Sequence, residues 1–296
     1  MGVEADFSEI PAFKVLQPVQ QRVPFIFNSP HSGRFYPPRF LAMSKLDAFT
    51  IRRSEDCFVD ELFAGAASLG APLLIANFPR AYLDVNREPW ELDPRMFREP
   101  VPSFANIRSP RVAGGLGTVP KLVGEGLDIY PSRLPLAEAL ERINHIYRPY
   151  HACLSDLLAR TRAMFGYAIL IDCHSMPANI RVADGSSRPD FILGDRFGSS
   201  AFPVLTQNAV ALLTAKGYSV AHNRPYAGGF ITEHYGRPAE RQHALQIEIS
   251  RSLYMNERTL ERNARFETFA RDLMDFVRGL VDMPEQYFLA PPLAAE

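Results

Sequence analysis

The sequence predicts an α/β fold with a mostly parallel or mixed sheet and helices on both faces. Two observations lead to this prediction. Short apolar runs alternate with longer segments whose apolar residues recur every three or four positions, as strands and amphipathic helices do. The strongest of these runs, Tyr167–Ile171, is continuously apolar rather than alternating, which is typical of a strand buried on both faces.

The elements follow one another along the chain after an arm or edge segment at residues 1–22. The expected strands cover 23–27, 72–76, 167–171, 189–194, 218–221 and 243–249. The expected helices cover 40–49, 54–66, 136–164, 199–216 and 256–280. Ser54 is a suitable N-cap for the second helix. Pro149 predicts a bend in the third helix, and Gly217 follows the fourth.

Residues 88–134 contain many prolines and glycines and are expected to form a long loop region near the functional site. Gly114–Gly117 lies in this region, but no strand precedes it and no Gly-Lys-Ser/Thr follows it. We therefore exclude a phosphate-binding loop. With no repeats and no low-complexity linkers, residues 1–296 are expected to form a single domain.

Composition and charge exclude several classes of protein. The 296-residue chain is 47% hydrophobic and 22% charged, with a formal net charge of -1, which gives no sign of a nucleic-acid or membrane partner. No apolar run approaches the roughly 20 residues of a membrane span. Residues 1–14 lack the apolar core of a signal peptide, so a cytoplasmic location is expected. The three cysteines, Cys57, Cys153 and Cys173, provide no disulfide framework.

Two histidines follow apolar strands and are candidate metal ligands. His174 lies just after the run that ends at Ile171, and His31 follows the run that ends at Phe27. Ligands bind at the carboxyl ends of strands in open α/β sheets, and neutral imidazole suits zinc. Either histidine alone is equally well explained as a polar residue at a strand end. The pair, with an acid nearby, matches the requirements of a metal-assisted hydrolase.

Glu248 is a candidate general base because it lies within an apolar strand. Alternation along the strand puts Glu248 and Gln246 on one face, with Ile247 and Ile249 on the other. A glutamate in such a strand is rare unless it is paired, coordinated or catalytic. The alternative is a buried ion pair with Arg241 or Arg251.

Asp56 is a candidate carboxylate ligand that would complete a site with two histidines and one carboxylate. Spacing alone favours a simpler explanation, in which Glu55 and Asp56 stabilise the first turn of a helix capped by Ser54. Which of the two acids binds the metal stays open at this stage. Cys173, next to His174, is a less favoured nucleophile, because neighbours on a strand point to opposite faces.

Substrate-binding candidates lie in two further segments. Arg80 and Arg87 flank a strand-like stretch, and arginine is the preferred partner of a carboxylate ligand. Alternatively, both are surface arginines paired with nearby acids. Gly228 and Gly229 permit close approach of the backbone to a ligand.

The motifs together resemble the N-formylglutamate amidohydrolase family, metal-dependent deformylases of histidine breakdown. The resemblance spans nearly the whole chain and rests on the order of motifs that are individually modest. These motifs are Asn28-Ser29-Pro30-His31-Ser32-Gly33, Asp56-Cys57-Phe58-Val59-Asp60, Asp84-Val85-Asn86-Arg87, Asp172-Cys173-His174-Ser175, Asp190-Phe191-Ile192-Leu193-Gly194, Asn223-Arg224-Pro225-Tyr226-Ala227-Gly228-Gly229-Phe230-Ile231-Thr232 and Leu245-Gln246-Ile247-Glu248-Ile249.

The family looks like a relative of zinc carboxypeptidases and aspartoacylases, which implies a three-layer α/β/α fold around a mixed sheet. Those relatives use a His-x-x-Glu motif, but here Arg34 stands three residues after His31. The resemblance therefore favours Asp56 as the replacement ligand. It implies one Zn²⁺ per chain on His31, Asp56 and His174.

The resemblance also implies a substrate and a set of roles. The expected reaction is hydrolysis of N-formyl-L-glutamate to formate and glutamate, with Glu248 as general base. Arg80, Arg87 and Asn86 are expected to bind the substrate carboxylates. Two alternatives stay open: hydrolysis of another N-acyl amino acid or small peptide, and a non-catalytic binding protein of the same fold. The expected partner is a small molecule, and the oligomeric state is not predicted.

Overall fold

The protein, for which we have a computed structural model, is described over residues 3–124, 126–180 and 188–289. The strands are β1 (Phe13–Leu16), β2 (Phe25–Ser29), β3 (Leu73–Ala76), β4 (Leu122–Val123), β5 (Leu127–Asp128), β6 (Ala168–Met176), β7 (Phe191–Gly194), β8 (Val220–His222), β9 (Gln242–Ser250), β10 (Met255–Asn256) and β11 (Glu261–Arg262). Seven of them form one sheet in the order β1-β3-β2-β6-β9-β7-β8. Met1 and Gly2 of the expected arm, and Glu125 of the expected loop region, lie outside the described residues.

Helices connect most of the strands. The α-helices are α1 (Val3–Asp6), α2 (Pro38–Met43), α3 (Val59–Phe63), α4 (Pro110–Ala113), α5 (Leu136–Arg142), α6 (Arg148–Phe165), α7 (Pro203–Ala215), α8 (Phe230–Tyr235), α9 (Phe266–Val281) and α10 (Gln286–Leu289). A mixed sheet connected by helices confirms the predicted α/β fold class. Within the described part of the chain, no helix combines the length and apolar character needed to cross a membrane.

The chain forms two compact units, and neither is continuous in sequence. The first comprises Met1–Val15, Ser29–Cys57 and Leu74–Ser155, and the second comprises Leu16–Asn28, Phe58–Leu73 and Asp156–Glu296. The expectation that all 296 residues form a single metallohydrolase domain stays a prediction.

In the second unit, strand register brings polar residues of β6 and β9 side by side. The two strands pair in parallel along their whole length, so that Asp172 lies opposite Gln246 and His174 opposite Glu248. Strand β7 pairs with the other edge of β9 in the antiparallel direction. Every residue of β6 is buried, as its apolar run predicts, but the strand continues to Met176. His174 therefore lies within the strand rather than in a turn after it.

The prediction that a helix begins at Ser54 is wrong. Ser54 ends a 3₁₀ helix, and Glu55 has an extended backbone. The helix begins only at Val59, after Phe58 adopts a left-handed conformation with φ 65. Tertiary contacts override the local N-cap signal here, because Glu55 is bound by other side chains and the Asp56 N–H donates to the His31 carbonyl oxygen. The α-helix ends at Phe63, and Gly70 closes the 3₁₀ helix that follows it, with φ 92.

Two other helices differ from their predicted form. The segment expected at 136–164 is α5 and α6 joined by a π-helical turn at Ile143–Tyr147, just before Pro149. Proline lacks an N–H and its ring crowds the carbonyl four residues back, and the wider π turn accommodates both effects. The last long helix begins at Phe266 rather than near residue 256, because Met255–Arg262 forms the β10–β11 hairpin.

His243, at the start of β9, should make stability depend on pH. Its side chain is fully buried beside the rings of Phe202 and Phe288, and burial lowers its pKa to about 4. In the unfolded chain the pKa of the histidine is about 6.5. Between pH 6.5 and 4, therefore, this histidine binds a proton in the unfolded chain but stays neutral in the folded chain. The contribution of His243 to the free energy of unfolding should therefore be complete above pH 6.5 and should decrease as the pH falls towards 4.

This contribution is measurable with denaturant unfolding of the wild type, His243→Gln and the exposed control His145→Gln at pH 7.5, 5.5 and 4.5. The wild type and the control should lose on the order of 3 kcal/mol more than His243→Gln across the full window. Identical pH profiles for all three proteins would show that His243 titrates normally in the folded chain.

Candidate metal centre

His31 lies in a tight turn that follows β2. The turn packs so closely that a side chain at Gly33 would put its Cβ 2.0 Å from the Phe78 carbonyl oxygen, which explains the glycine. The Ser29 and Ser32 hydroxyls lie 2.7 Å apart within it, and the His31 carbonyl accepts the N–H of Asp56 at 3.0 Å. These contacts hold His31 and Asp56 together although 25 positions separate them in sequence.

A buried carboxylate orients the His31 ring. Nε2 of His31 lies 2.8 Å from Oδ1 of Asp84, and the other oxygen of Asp84 is 3.0 Å from Nε of Arg80 and 3.3 Å from a terminal nitrogen of Arg87. Burial alone would raise the pKa of Asp84, but the charges of Arg87 and Arg80 outweigh it and hold that pKa well below its ordinary value. Asp84 is therefore ionised and accepts the Nε2–H of His31, which puts Nδ1 on the opposite side of the ring.

The two adjacent acids Glu55 and Asp56 have different surroundings. Oδ2 of Asp56 lies 3.5 Å from Nδ1 of His31. Glu55 instead accepts hydrogen bonds from Nε of Arg52 at 3.0 Å and from the Tyr36 hydroxyl at 2.7 Å. Burial, and then the charge of Glu55, raise the pKa of Tyr36 well above its ordinary value, so the phenol stays a donor. The first unit thus presents Asp56, rather than Glu55, to His31.

In the second unit, a second carboxylate orients His174. Asp172 and His174 lie on the same face of β6, and Oδ2 of Asp172 is 2.8 Å from Nε2 of His174. The Asn28 amide donates to the other oxygen of Asp172 at 2.8 Å. As with His31, the ring nitrogen opposite the carboxylate is Nδ1.

Glu248 is held by a chain of neutral hydrogen bonds. The N–H of Gly229 donates to Oε1 of Gln246 at 2.7 Å, and the Gln246 amide donates to Oε1 of Glu248 at 2.9 Å. Glu248 is the one residue of β9 that is not fully buried. Arg251, one of the ion-pair partners considered for it, donates to the Ser175 hydroxyl at 3.1 Å and lies 3.8 Å from Glu257.

His31, Asp56 and His174 are brought together as a potential metal-binding group. Each offers one ligand atom, and the three atoms lie within 4.8 Å of one another. The donor set fits zinc in two respects. Adjacent ligands of a tetrahedral zinc ion are about 3.3 Å apart for bonds of about 2 Å, close to the 3.5 Å between His31 and Asp56. Metal-binding histidines also commonly donate their second N–H to a carboxylate, as both imidazoles do here.

The residues expected to bind substrate have mixed surroundings. Arg87 is nearly buried and donates to the carbonyl oxygens of Leu116 and Asn86, both at 2.7 Å. Burial lowers the pKa of Arg87 to about 10, so it keeps its charge at neutral pH. Arg80 is more accessible, with 27% of its side chain exposed. The Asn86 N–H donates to Asp84 at 2.9 Å.

Two other predicted features can be compared with the structure. Gly228 has φ 117, a conformation that favours glycine. Cys173 is fully buried, and burial raises the pKa of its thiol well above the ordinary value. A thiol that stays protonated is a poor nucleophile, which disfavours the cysteine alternative.

Sequence reasoning did not assign a role to the carboxylates that orient the histidines. For Asp172 a signal existed, because a residue two positions before His174 on a strand shares its face. For Asp84 none existed, since 53 positions separate it from His31. The same holds for the contact of Glu55 with Tyr36, 19 positions away, which helps to separate the role of Glu55 from that of Asp56.

Comparison with known proteins identifies relatives along most of the chain. The sequence model of the N-formylglutamate amidohydrolase family matches residues 23–255. The N-formylglutamate deformylase of Pseudomonas aeruginosa is 32% identical over 247 residues, covering 82% of this chain and 86% of the relative. That of Pseudomonas putida is 33% identical over the same length, with the same coverage of both chains.

Solved structures agree with this match. The crystal structure of N-formylglutamate amidohydrolase from Ralstonia eutropha JMP134 has a TM-score of 0.85 and 38% identity, covering 91% of this chain and 96% of that one. A gene product of Agrobacterium tumefaciens has a TM-score of 0.58 at 18% identity, covering 94% of this chain and 99% of that one, and shares the fold.

The metal-binding group predicts a specific pattern of zinc loss. The wild type should bind about one zinc ion per chain, measured by elemental analysis after dialysis against a zinc buffer. His31→Ala, His174→Ala and Asp56→Asn should each lose it, because each removes a ligand atom. Glu55→Gln, whose side chain faces Arg52 and Tyr36, should keep it, as should the exposed control His145→Ala. Zinc loss in Glu55→Gln with retention in Asp56→Asn would reverse the assignment of the two acids.

Proposed function

Because the chain belongs to the N-formylglutamate amidohydrolase family, we propose that it hydrolyses N-formyl-L-glutamate to formate and L-glutamate in a zinc-dependent reaction. The observation that carries the proposal is the grouping of His31, Asp56 and His174 within 4.8 Å in a chain of this family. The names of the two Pseudomonas relatives support the choice of substrate. A cytoplasmic location and a role in histidine breakdown are parts of the same proposal.

In the proposed reaction, His31, Asp56 and His174 hold the metal. A zinc ion held there would supply Lewis-acid polarisation of the formyl oxygen and would make the attacking water more acidic. The chain itself fixes the two imidazoles, His31 through Asp84 and His174 through Asp172. Neither ring would then have to reorient to bind the metal.

Glu248 is the proposed general base. Its carboxylate accepts a proton from the attacking water, whose oxygen bonds to the formyl carbon. The proton is then delivered to the amide nitrogen as the carbon–nitrogen bond breaks, which releases glutamate with its free amine and leaves formate. The hydrogen bonds from Gly229 to Gln246 and from Gln246 to Glu248 support this role, because they orient the acid without neutralising it.

Arg80, Arg87 and Asn86 are proposed to bind the two carboxylates of the substrate, and Gly228 and Gly229 to let the backbone approach it. The shared contact of both arginines with Asp84 keeps two positive charges at one point of the first unit. The greater exposure of Arg80 makes it the more accessible of the two to a ligand.

Substitution of Glu248 tests its catalytic role directly. Glu248→Gln keeps the oxygen that accepts from Gln246 but removes the base, so kcat for N-formylglutamate should fall at least about 100-fold. Zinc content and the thermal midpoint should stay close to those of the wild type, as should all three properties of the exposed control Glu240→Gln. A kcat near the wild-type value would exclude Glu248 from the mechanism, whereas lost stability with normal turnover would indicate an ion-pair role.

The arginines can be tested with substrates that lack one acid group. N-formylglutamate, its γ-amide and its α-amide have nearly the same shape, so a lost arginine contact should raise KM only for substrates that carry the matching carboxylate. Arg80→Leu or Arg87→Leu should raise that KM roughly 10- to 150-fold, the cost of about 1.5–3 kcal/mol for a charge-assisted hydrogen bond. The control is the exposed Arg133→Leu.

Zinc affinity, measured on the same variants, separates binding of substrate from support of Asp84. An arginine that acts only through Asp84 should weaken zinc binding and should change KM equally for all three substrates. That outcome would contradict its assignment to substrate binding.

A further inference from the structure

A cavity of about 700 Å³ lies in the second unit, where β7 and β8 end. Asp195 follows β7, and His222, Asn223 and Arg224 stand at and after the end of β8. The other side of the cavity is formed by the first turns of α7. Its volume is within the range of about 300–1,000 Å³ that is usual for small-molecule sites.

Strand direction and alternation separate this cavity from Glu248. Strand β7 runs antiparallel to β9, so its carboxyl end lies beside the amino-terminal half of β9. Glu248 is paired with Ile192, and both side chains share one face. His222 is paired with Leu193, the next residue along, and so lies on the opposite face. The cavity is thus reached from the other face and the other end of these strands.

A buried carboxylate fixes the polar side of the cavity. Asp195 is 2% exposed, and its Oδ1 accepts the Gly198 N–H at 2.9 Å and the Asn223 amide at 2.8 Å. Its Oδ2 accepts the Thr206 hydroxyl at 2.8 Å and lies 2.9 Å from Nε2 of His222. With all these acceptor positions used, Asp195 has no capacity left for a ligand. Nε2 of His222 also lies 3.0 Å from the amide nitrogen of Asn223, so both Asp195 and Asn223 hold the ring.

The ionisable groups that remain in the lining are basic, and Gln207 adds a neutral amide. The His222 side chain is 47% exposed, so its ring reaches the cavity with Nε2 anchored to Asp195. Arg224 also lines the cavity, and among the described residues no hydrogen bond or ion pair engages its guanidinium. The apolar lining comes from Phe197, Pro203 and Val210. Phe197 is 69% exposed and has φ 57, a strained backbone conformation of the kind that clusters at ligand sites.

We propose that this cavity is a second ligand site that binds a small organic carboxylate. The acid group pairs with the Arg224 guanidinium, which presents two parallel donors to a carboxylate, and with the His222 imidazole held by Asp195. The hydrocarbon part packs on Phe197, Pro203 and Val210. The site is separate from the proposed hydrolysis and does not depend on it.

The proposal is tested by calorimetric titration of the full-length protein with butyrate, glutarate and 3-phenylpropionate. At least one should bind with one-to-one stoichiometry, and equally to the wild type and to His174→Ala, which lacks a proposed metal ligand. Arg224→Leu and His222→Gln should each weaken binding at least about 10-fold, because a charge-assisted bond is lost. Arg133→Leu should not change it, and 3-phenylpropionamide should bind at least about 10-fold more weakly than the acid.

Several results of the same experiments would contradict a second carboxylate site. Unchanged affinity in Arg224→Leu, or equal affinity for the acid and its amide, would overturn the proposal. Loss of binding in His174→Ala would assign the carboxylate to the catalytic centre instead. Absence of detectable binding by all three acids at 10 mM would also overturn it. Thermal midpoints of both variants show whether each is folded.

Discussion

The ion pairs around Asp84 are the constraint on which the first half of the site depends. An ionised carboxylate that is 1% exposed is costly unless charged partners compensate it, and here Arg80 and Arg87 do so. Because Asp84 then stays ionised, it accepts a hydrogen bond from His31 and fixes its tautomer. The free side of that ring faces Asp56. Two arginines thus influence a potential metal ligand through the carboxylate that they share with it.

The second histidine is oriented in the same way but with different support. Asp172 is fully buried, and the Asn28 amide, a neutral donor, contacts one of its oxygens. The parallel pairing of β2 with β6 puts Asn28 directly opposite Asp172. The carboxylate that orients His174 is therefore supported by strand pairing, whereas the carboxylate that orients His31 is supported by ion pairs.

The proposed base belongs to a third arrangement, in which two neutral hydrogen bonds lead to Glu248. Gln246 receives the Gly229 N–H and donates to Glu248, so a backbone amide outside β9 controls a side chain within it. Gly229 follows Gly228, whose φ of 117 favours glycine. The glycine pair therefore has a structural reason to be there in addition to its proposed contact with substrate. Movement of this loop would be transmitted to Glu248 through two hydrogen bonds.

The sequence by itself determined six of the seven strands of the main sheet, the two histidines and the shared face of Gln246 and Glu248. These features follow from local backbone geometry, because a strand repeats every two residues wherever it lies. Only the tertiary structure showed that Asp56, rather than Glu55, lies beside His31, and that His31 contacts Asp84. It also moved the start of the helix from Ser54 to Val59. Those outcomes depend on contacts between distant segments, which compete with local propensity and leave no periodic trace in the chain.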